Sequence, residues 1–276
     1  MAARAGANLG GINPVPKILL SLLAAFIIAA PMPAQAWGQL GHRVIGQLAD
    51  ERVSGRTRAE ILLILGVEDL AEASTWPDEE RSNPADFWQN DASPWHYVTV
   101  PPGTSYPDVG APPEGDAASA LTQFVATVRD RNAPAEDRAL ALRFIIHIIG
   151  DLHQPLHVGN GTDRGGNDVR VTWFREDTNL HRVWDTDMIM DKNLSYSEYA
   201  RWLGRAIPPQ SEIDWWTADP LVWIAESAAI RPTIYPAAGE TDLSWDYNYR
   251  YLPIAERRLQ QGGVRLAAYL EWVFSQ

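Results

Sequence analysis

The segment from Ala135 to Leu152 is nearly all apolar at helical spacing, and it carries a histidine and an aspartate, His147 and Asp151, close to its end. A helix that is apolar on every side has no face to turn towards water, so it belongs at the centre of a bundle of other elements. Residues four apart share a helix face, so the His147 imidazole and the Asp151 carboxylate can converge on one ion without backbone strain. The same His-x-x-x-Asp spacing recurs at His181-Arg-Val-Trp-Asp185.

Between the two copies lies Asp151-Leu-His153-Gln-Pro155-Leu-His157. Proline breaks or kinks a helix interior, so the chain is expected to leave helical geometry near His153 and carry His157 elsewhere. The chain has six histidines, and five stand at metal-ligand spacings with aspartates. Imidazoles and carboxylates without thiolates suit Zn²⁺ in a catalytic site, and on ligand chemistry alone Mn²⁺ and Fe²⁺ are also accommodated. With no cysteine in the chain, thiolate zinc sites and disulfides are excluded.

Residues 1 to 36 read as a separate segment. Arg4 and Lys17 supply positive charge, Ile18 to Ala30 is nearly all apolar, and Ala34-Gln35-Ala36 matches a cleavage pattern. The apolar stretch is shorter than the roughly 20 residues needed to span a bilayer, so the expectation is a secretory signal cleaved after Ala36, not an anchor. Removing it takes the formal charge from −12 to −14, because Arg4 and Lys17 leave with it and no acid does. Nothing global then attracts nucleic acid, although bound divalent cations can reverse the field locally. Lys192 would be the remaining lysine, leaving phosphate contacts to arginine, backbone N–H groups and metal.

Helical spacing is also predicted over Gln39 to Arg52, Arg56 to Leu65 with Gly66 as a stop, Asp116 to Asp130, Tyr196 to Ile207, Pro220 to Ile230 and Ile254 to Phe274. A loop is expected around Trp76-Pro77-Asp78, followed by Asp86 to Val100, with Pro101-Pro102 and Pro112-Pro113 marking an extended connection. After Gly165-Gly166-Asn167, Val169, Val171 and Trp173 alternate with polar or outward positions, which predicts a short hairpin. The fold class expected is all-α, a mainly helical single domain over residues 37–276 with one short β-hairpin.

Trp37-Gly-Gln-Leu-Gly-His42, Thr75-Trp-Pro-Asp78, Trp95-His96-Tyr97, His147 to Asp151 continuing to His157, and Asn179-Leu-His181-Arg-Val-Trp-Asp185 occur in that order. Together they resemble the S1/P1-type zinc-dependent nucleases, within the broader phospholipase C and nuclease fold. The resemblance covers Trp37 to Asp187 and implies three zinc ions. Asp78, His96, His147 and Asp151 would hold the first. His157, His181 and Asp185 would hold the second. Trp37, through its freed amine and carbonyl, would hold the third with His42 and a bridging Asp151. His153 is left as a structural or supporting group.

The resemblance further implies an exported enzyme, periplasmic or extracellular and expected as a monomer without stable membrane association. Its substrates would be single-stranded DNA and RNA and nucleotides, its products would carry 5′-phosphates, and 3′-nucleotidase activity is possible in principle. Asp78 would orient the attacking water, which is shared by the first and third ions, and the second ion would steady the departing 3′-oxygen. Arg81 matches a phosphate-binding arginine, Tyr97 an aromatic on which a base stacks, and Asn167 a position near substrate. Thr99 stands where some members carry a base-binding aspartate, so base preference does not carry over. Two rivals share parts of this pattern, a zinc-dependent phospholipase C and an exported zinc-binding protein without turnover. The short Trp37-to-His42 spacing and the Asn-Leu-His-x-Val-Trp-Asp motif speak against the first, and Asp78 with Arg81 against the second.

Overall fold

Burial of the Ala135–Leu152 helix organises the chain, and its observed bounds are those predicted. In the computed structural model, which describes residues 1–2 and 37–275, Leu142, Phe144, Ile145, Ile146, Ile148, Ile149 and Leu152 have no exposed surface. Each such side chain contributes about 1.5–3 kcal/mol of transfer free energy. Around this central helix lie Gln39–Asp50, Gly55–Leu65, Ala117–Arg129, Pro220–Ile230 and Trp245–Phe274. Arg143 is the charged residue in its buried half outside the His147–Asp151 pair, and it reaches Glu68 with three hydrogen bonds of 2.6–3.1 Å. The predicted signal segment and its cleavage after Ala36 lie outside the described residues. Among those described, no helix is long and apolar enough to cross a membrane.

Local chemistry sets the helix ends. Ser54 accepts from the Thr57 N–H, Asp116 and Ser195 form reciprocal capping boxes with Ser119 and Glu198, and Gly66 closes its helix at φ 71°. The central helix stops at Leu152, two residues short of the turn that Pro155 begins. Its last carbonyls are met from elsewhere in the chain: Ser227 Oγ donates to Leu152 at 2.7 Å and Arg258 Nε to His153 at 3.0 Å. A buried helix end has to find such donors, since water cannot supply them.

Among the described residues, five short strands complete the architecture. The predicted hairpin is β3 (Arg170–Trp173) against β4 (Glu176–Asn179), antiparallel, with β5 (Asp242–Leu243) added in parallel on the other edge of β3. β1 (Val98–Thr99) and β2 (Val158–Gly159) form a separate parallel pair.

The structure departs from expectation in several places, among them a helical turn at Tyr106–Val109 inside the stretch expected to be extended. The stretch around Trp76-Pro77-Asp78 is a helical turn, Trp76–Glu79, and it leads into further single turns at Glu80–Ser82, Phe87–Asp91 and Ser93–His96. Proline is tolerated in the first turn because no helical acceptor is needed there, so Pro77 and Pro94 start turns and do not forbid them. The last helix begins at Trp245, not Ile254, and contains Pro253 at an exposed position. A further helix at Pro209–Trp215 and the β1–β2 pair were not expected.

Candidate metal centre

Each predicted ligand except Trp37 is delivered by a helix or a helical turn. The central helix presents His147 and Asp151 from its last two turns, the Gln39–Asp50 helix brings His42, and the Trp76–Glu79 turn brings Asp78. His96 and His157 end the turns that immediately precede β1 and β2, so the parallel pairing of Val98 with Val158 brings those two turns side by side. His181 and Asp185 follow β4 on consecutive helical turns. All of these side chains are buried, Asp78 the most exposed at 8%.

They form three groups whose donor atoms lie within 4.8 Å of one another: Asp78–His96–His147, His42–His147–Asp151 and His157–His181–Asp185. Asp151 is the hub. Its Oδ2 is 3.1 Å from His147 Nε2 and 3.3 Å from His96 Nδ1, and its Oδ1 is 3.3 Å from His42 Nε2 and 3.7 Å from His157 Nδ1. His147 stands between the first two groups, since the His42 ring stacks on it at 4.0 Å. The close approach depends on Gly150, where a Cβ would come within 2.8 Å of His42 Nδ1.

Three imidazoles are fixed by backbone carbonyls. His147 Nδ1 meets Ser74 O, His157 Nδ1 meets His96 O, and His181 Nδ1 meets Gly165 O, each at 2.7 Å. A ring that donates through Nδ1 leaves its Nε2 lone pair aimed into the site, as ligating histidines require. His153 differs: its Nδ1 meets Ile149 O at 2.7 Å and its Nε2 meets Arg265 Nη1 at 3.2 Å, so it belongs to a buried network with Arg258, Arg265 and Glu226. Burial and the two arginines push it well below the ordinary histidine value, and it is a neutral structural group.

The donor set fits divalent cations. Both oxygens of Asp151, both ring nitrogens of His42 and Nε2 of His157 are buried without a hydrogen-bond partner, although several lie near one another. Leaving such groups unpaired is costly in a low-dielectric interior, and cations among them remove that cost. The electrostatics point the same way. Burial pushes the Asp151 carboxyl up, but His147 and His157 override it and hold it well below the ordinary range. Burial favours the neutral ring of His157, and Asp151 and Asp185 override that, raising it to about 9. His42 and His96 are instead lowered, first by burial, with His147 repelling a second charge, so the rings cannot all protonate together.

At the rim, Arg81 Nη1 donates to Asp78 Oδ1 at 3.2 Å. The arginine side chain is 19% exposed, so the contact is partly buried. Tyr97 is 47% exposed, and its phenol is pushed up by burial and Glu114 while Arg81 opposes. Asn167 serves its own turn, donating Nδ2 to Arg164 O at 2.9 Å. Trp37 is fully buried, and the Gly38 N–H donates to Asp185 O at 2.7 Å, so the start of the described segment is tied to the third group. The free amine that its predicted role requires depends on cleavage after Ala36, outside the described residues.

Sequence reading overlooked three supports: Ser74, whose carbonyl orients His147; Gly150, which admits His42; and Gln154, whose side chain reaches Asp185.

The S1/P1 Nuclease family model matches residues 37–275. Nuclease S1 of Aspergillus oryzae (strain ATCC 42149 / RIB 40) is 32% identical over 94% of this chain and 98% of that protein. Endonuclease 4 of Arabidopsis thaliana is 32% identical over 88% of this chain and 90% of that protein. Nuclease P1 of Penicillium citrinum is 35% identical over 55% of this chain and 58% of that protein.

Proposed function

The chain belongs to the S1/P1 nuclease family and is a hydrolase of nucleic acids, and from that premise we propose that it is an exported, monomeric, three-zinc enzyme cleaving single-stranded DNA and RNA to 5′-phosphate products, with 3′-nucleotidase activity. The observation that carries this reading is Asp151, fully buried with two unpartnered oxygens that face four imidazoles, beside a rim holding Arg81 and Tyr97.

Asp78, His96, His147 and Asp151 would hold one zinc, His157, His181 and Asp185 a second, and Trp37, His42 and Asp151 a third after the leader is removed. Zinc in such sets supplies Lewis acidity, shielding phosphate charge and bringing the acidity of water near neutral pH. The protein supplies orientation. Burial pushes Asp78 up, yet His147, His96 and His42 hold it below the ordinary carboxylate value, so it is ionised and accepts a hydrogen bond from the attacking water. Its contact to Arg81 also aims the guanidinium, which pairs with a non-bridging phosphate oxygen as charge develops. The P–O3′ bond breaks, and the phosphate stays on the 5′ side of the next nucleotide.

Tyr97 offers its exposed ring to a base. Bases in a duplex are already stacked on one another, so such a platform favours single strands. Thr99 presents a hydroxyl, and no base preference is assigned.

The test is hydrolysis of single-stranded DNA and RNA by protein beginning at Trp37, before and after chelation and zinc restoration, with zinc counted and product ends mapped. Activity lost on chelation and restored by zinc, near three ions per chain, with 5′-phosphate ends, is the expected result. Bound zinc without phosphodiester cleavage would refute it, and cleavage of a short-chain phosphatidylcholine instead would move the chain to the phospholipase reading.

A further inference from the structure

Gln154 has no exposed surface, and every polar group it carries is engaged with residues of the centre or their neighbours. Its N–H donates to Asp151 O at 2.9 Å and its carbonyl accepts from the His157 N–H at 3.0 Å. Its side-chain Oε1 accepts from the Leu156 N–H at 2.5 Å, capping the turn that carries His157, and its Nε2 donates to Asp185 Oδ1. One residue is thus hydrogen-bonded to the backbone or side chain of Asp151, His157 and Asp185.

The contact to Asp185 decides how that carboxylate stands. With Oδ1 taken by the amide, Oδ2 is the oxygen at 2.8 Å from His181 Nε2, while Oδ1 lies 3.8 Å from His157 Nε2. The main chain of Asp185 is gripped separately by the Gly38 N–H. An amide suits this task chemically. It donates to a carboxylate without adding a charge, whereas a lysine or arginine there would compete with a cation for Asp185 and an acid would repel it.

We propose that Gln154 is the positioning residue of the His157–His181–Asp185 group: it selects the Asp185 oxygen turned towards the ion and sets how tightly that ion is held, without touching ion or substrate. The proposal rests on the reading of this group as a zinc site. Its role is separable from a general structural one because it predicts loss at one ion and not at the others.

The experiment uses the zinc-loaded protein beginning at Trp37, with Gln154→Leu, Gln154→Glu and, as a reference, Asp185→Ala. Zinc per chain is measured after equilibration against a graded series of chelator-buffered zinc concentrations, alongside kcat, KM and thermal unfolding. Gln154→Leu is expected to weaken one ion about 10- to 100-fold and leave the others unchanged, the usual scale for a lost supporting hydrogen bond at a metal ligand. Its kcat should fall with the occupancy of that ion and recover in excess zinc, with KM little changed. Gln154→Glu keeps the acceptor for the Leu156 N–H but not the amide donor, so a folded Gln154→Glu protein should show the same single-ion loss even where Gln154→Leu does not fold.

A drop in thermal stability with all zinc affinities unchanged in either folded variant would overturn the positioning role. If Asp185→Ala itself retains every ion, the zinc reading of the group falls, and the role of Gln154 with it.

Discussion

Gly150→Ala sets two physical effects against each other within one residue of Asp151. In a helix interior, alanine is favoured over glycine by roughly 0.5–1 kcal/mol, so propensity alone predicts a more stable protein. The added Cβ, however, would lie 2.8 Å from His42 Nδ1 and 2.9 Å from His42 Cε1. Ordinary contact between such atoms is about 3.5 Å or more, so the ring has to retreat by about 0.7 Å. His42 is fully buried and stacked on His147 at 4.0 Å, so the core must absorb that movement. Overpacking of this kind costs about 1–3 kcal/mol, which leaves a net loss of about 0–2.5 kcal/mol. The larger consequence falls on the ion assigned to His42, because ligand distances tolerate only about ±0.2 Å. Urea unfolding in chelator should report the small destabilisation, and zinc analysis should report close to one ion fewer per chain. A variant stabilised by about 1 kcal/mol with its zinc content intact would refute the argument, since it would mean that His42 does not rest on Gly150.

Tyr97→Ala removes the exposed stacking platform and should raise KM on single-stranded oligonucleotides about 5- to 150-fold, from about 1–3 kcal/mol per stacked base, with zinc content unchanged; an unaltered KM would remove Tyr97 from the substrate path. Arg81→Ala should lower kcat by about 10²–10³ without loss of zinc, the scale for one donor that meets charge developing in the transition state, and steady-state rates with metal analysis test both halves. Glu226 supplies a pH prediction away from the metal centre. Burial pushes its carboxyl up, but hydrogen bonds and charges from Arg265 and Arg258 outweigh this and leave it below the ordinary glutamate value. Its contribution to stability is therefore complete above the unfolded value of about 4.3 and is lost as pH falls through the lower folded value. Glu226→Gln should flatten the acid limb of the stability curve in that window, measured by urea unfolding against pH, and an unchanged limb would contradict it.

The centre was legible in the sequence to the extent that its ligands are local. His147 with Asp151 and His181 with Asp185 are spaced by one helical turn, and Pro155 announced where the helix releases His157. The helix bounds at Ala135–Leu152 and Pro220–Ile230 followed from periodicity and from where the apolar run stops. What stayed hidden depends on partners far away in the chain. β1 and β2 are two residues each, too short for any alternation to register, and exist because 98 and 158 meet across the fold. Glu226, Arg258 and Arg265 carry no local signal of a shared network, yet both arginines are almost fully buried and are tolerated because Glu226 answers them. Pro253 misplaced the start of the last helix, because a proline reads as a break unless its exposed position is known.

The arginine that closes the end of the central helix has a consequence for the order of assembly. Arg258 stands 105 residues after the His153 carbonyl that it holds, and the helix carrying it also packs on Gln39–Asp50 at the other end of the described segment. Contacts this distant in sequence form late and slowly, because the intervening loop must close before they are rewarded. A chain in which that helix has not yet docked lacks the contact that holds the His153 carbonyl, between Asp151 and His157. The main chain between Asp151 and His157 is therefore fixed only when the helix bearing Arg258 docks, which couples closure of the centre to a contact between segments far apart in the sequence.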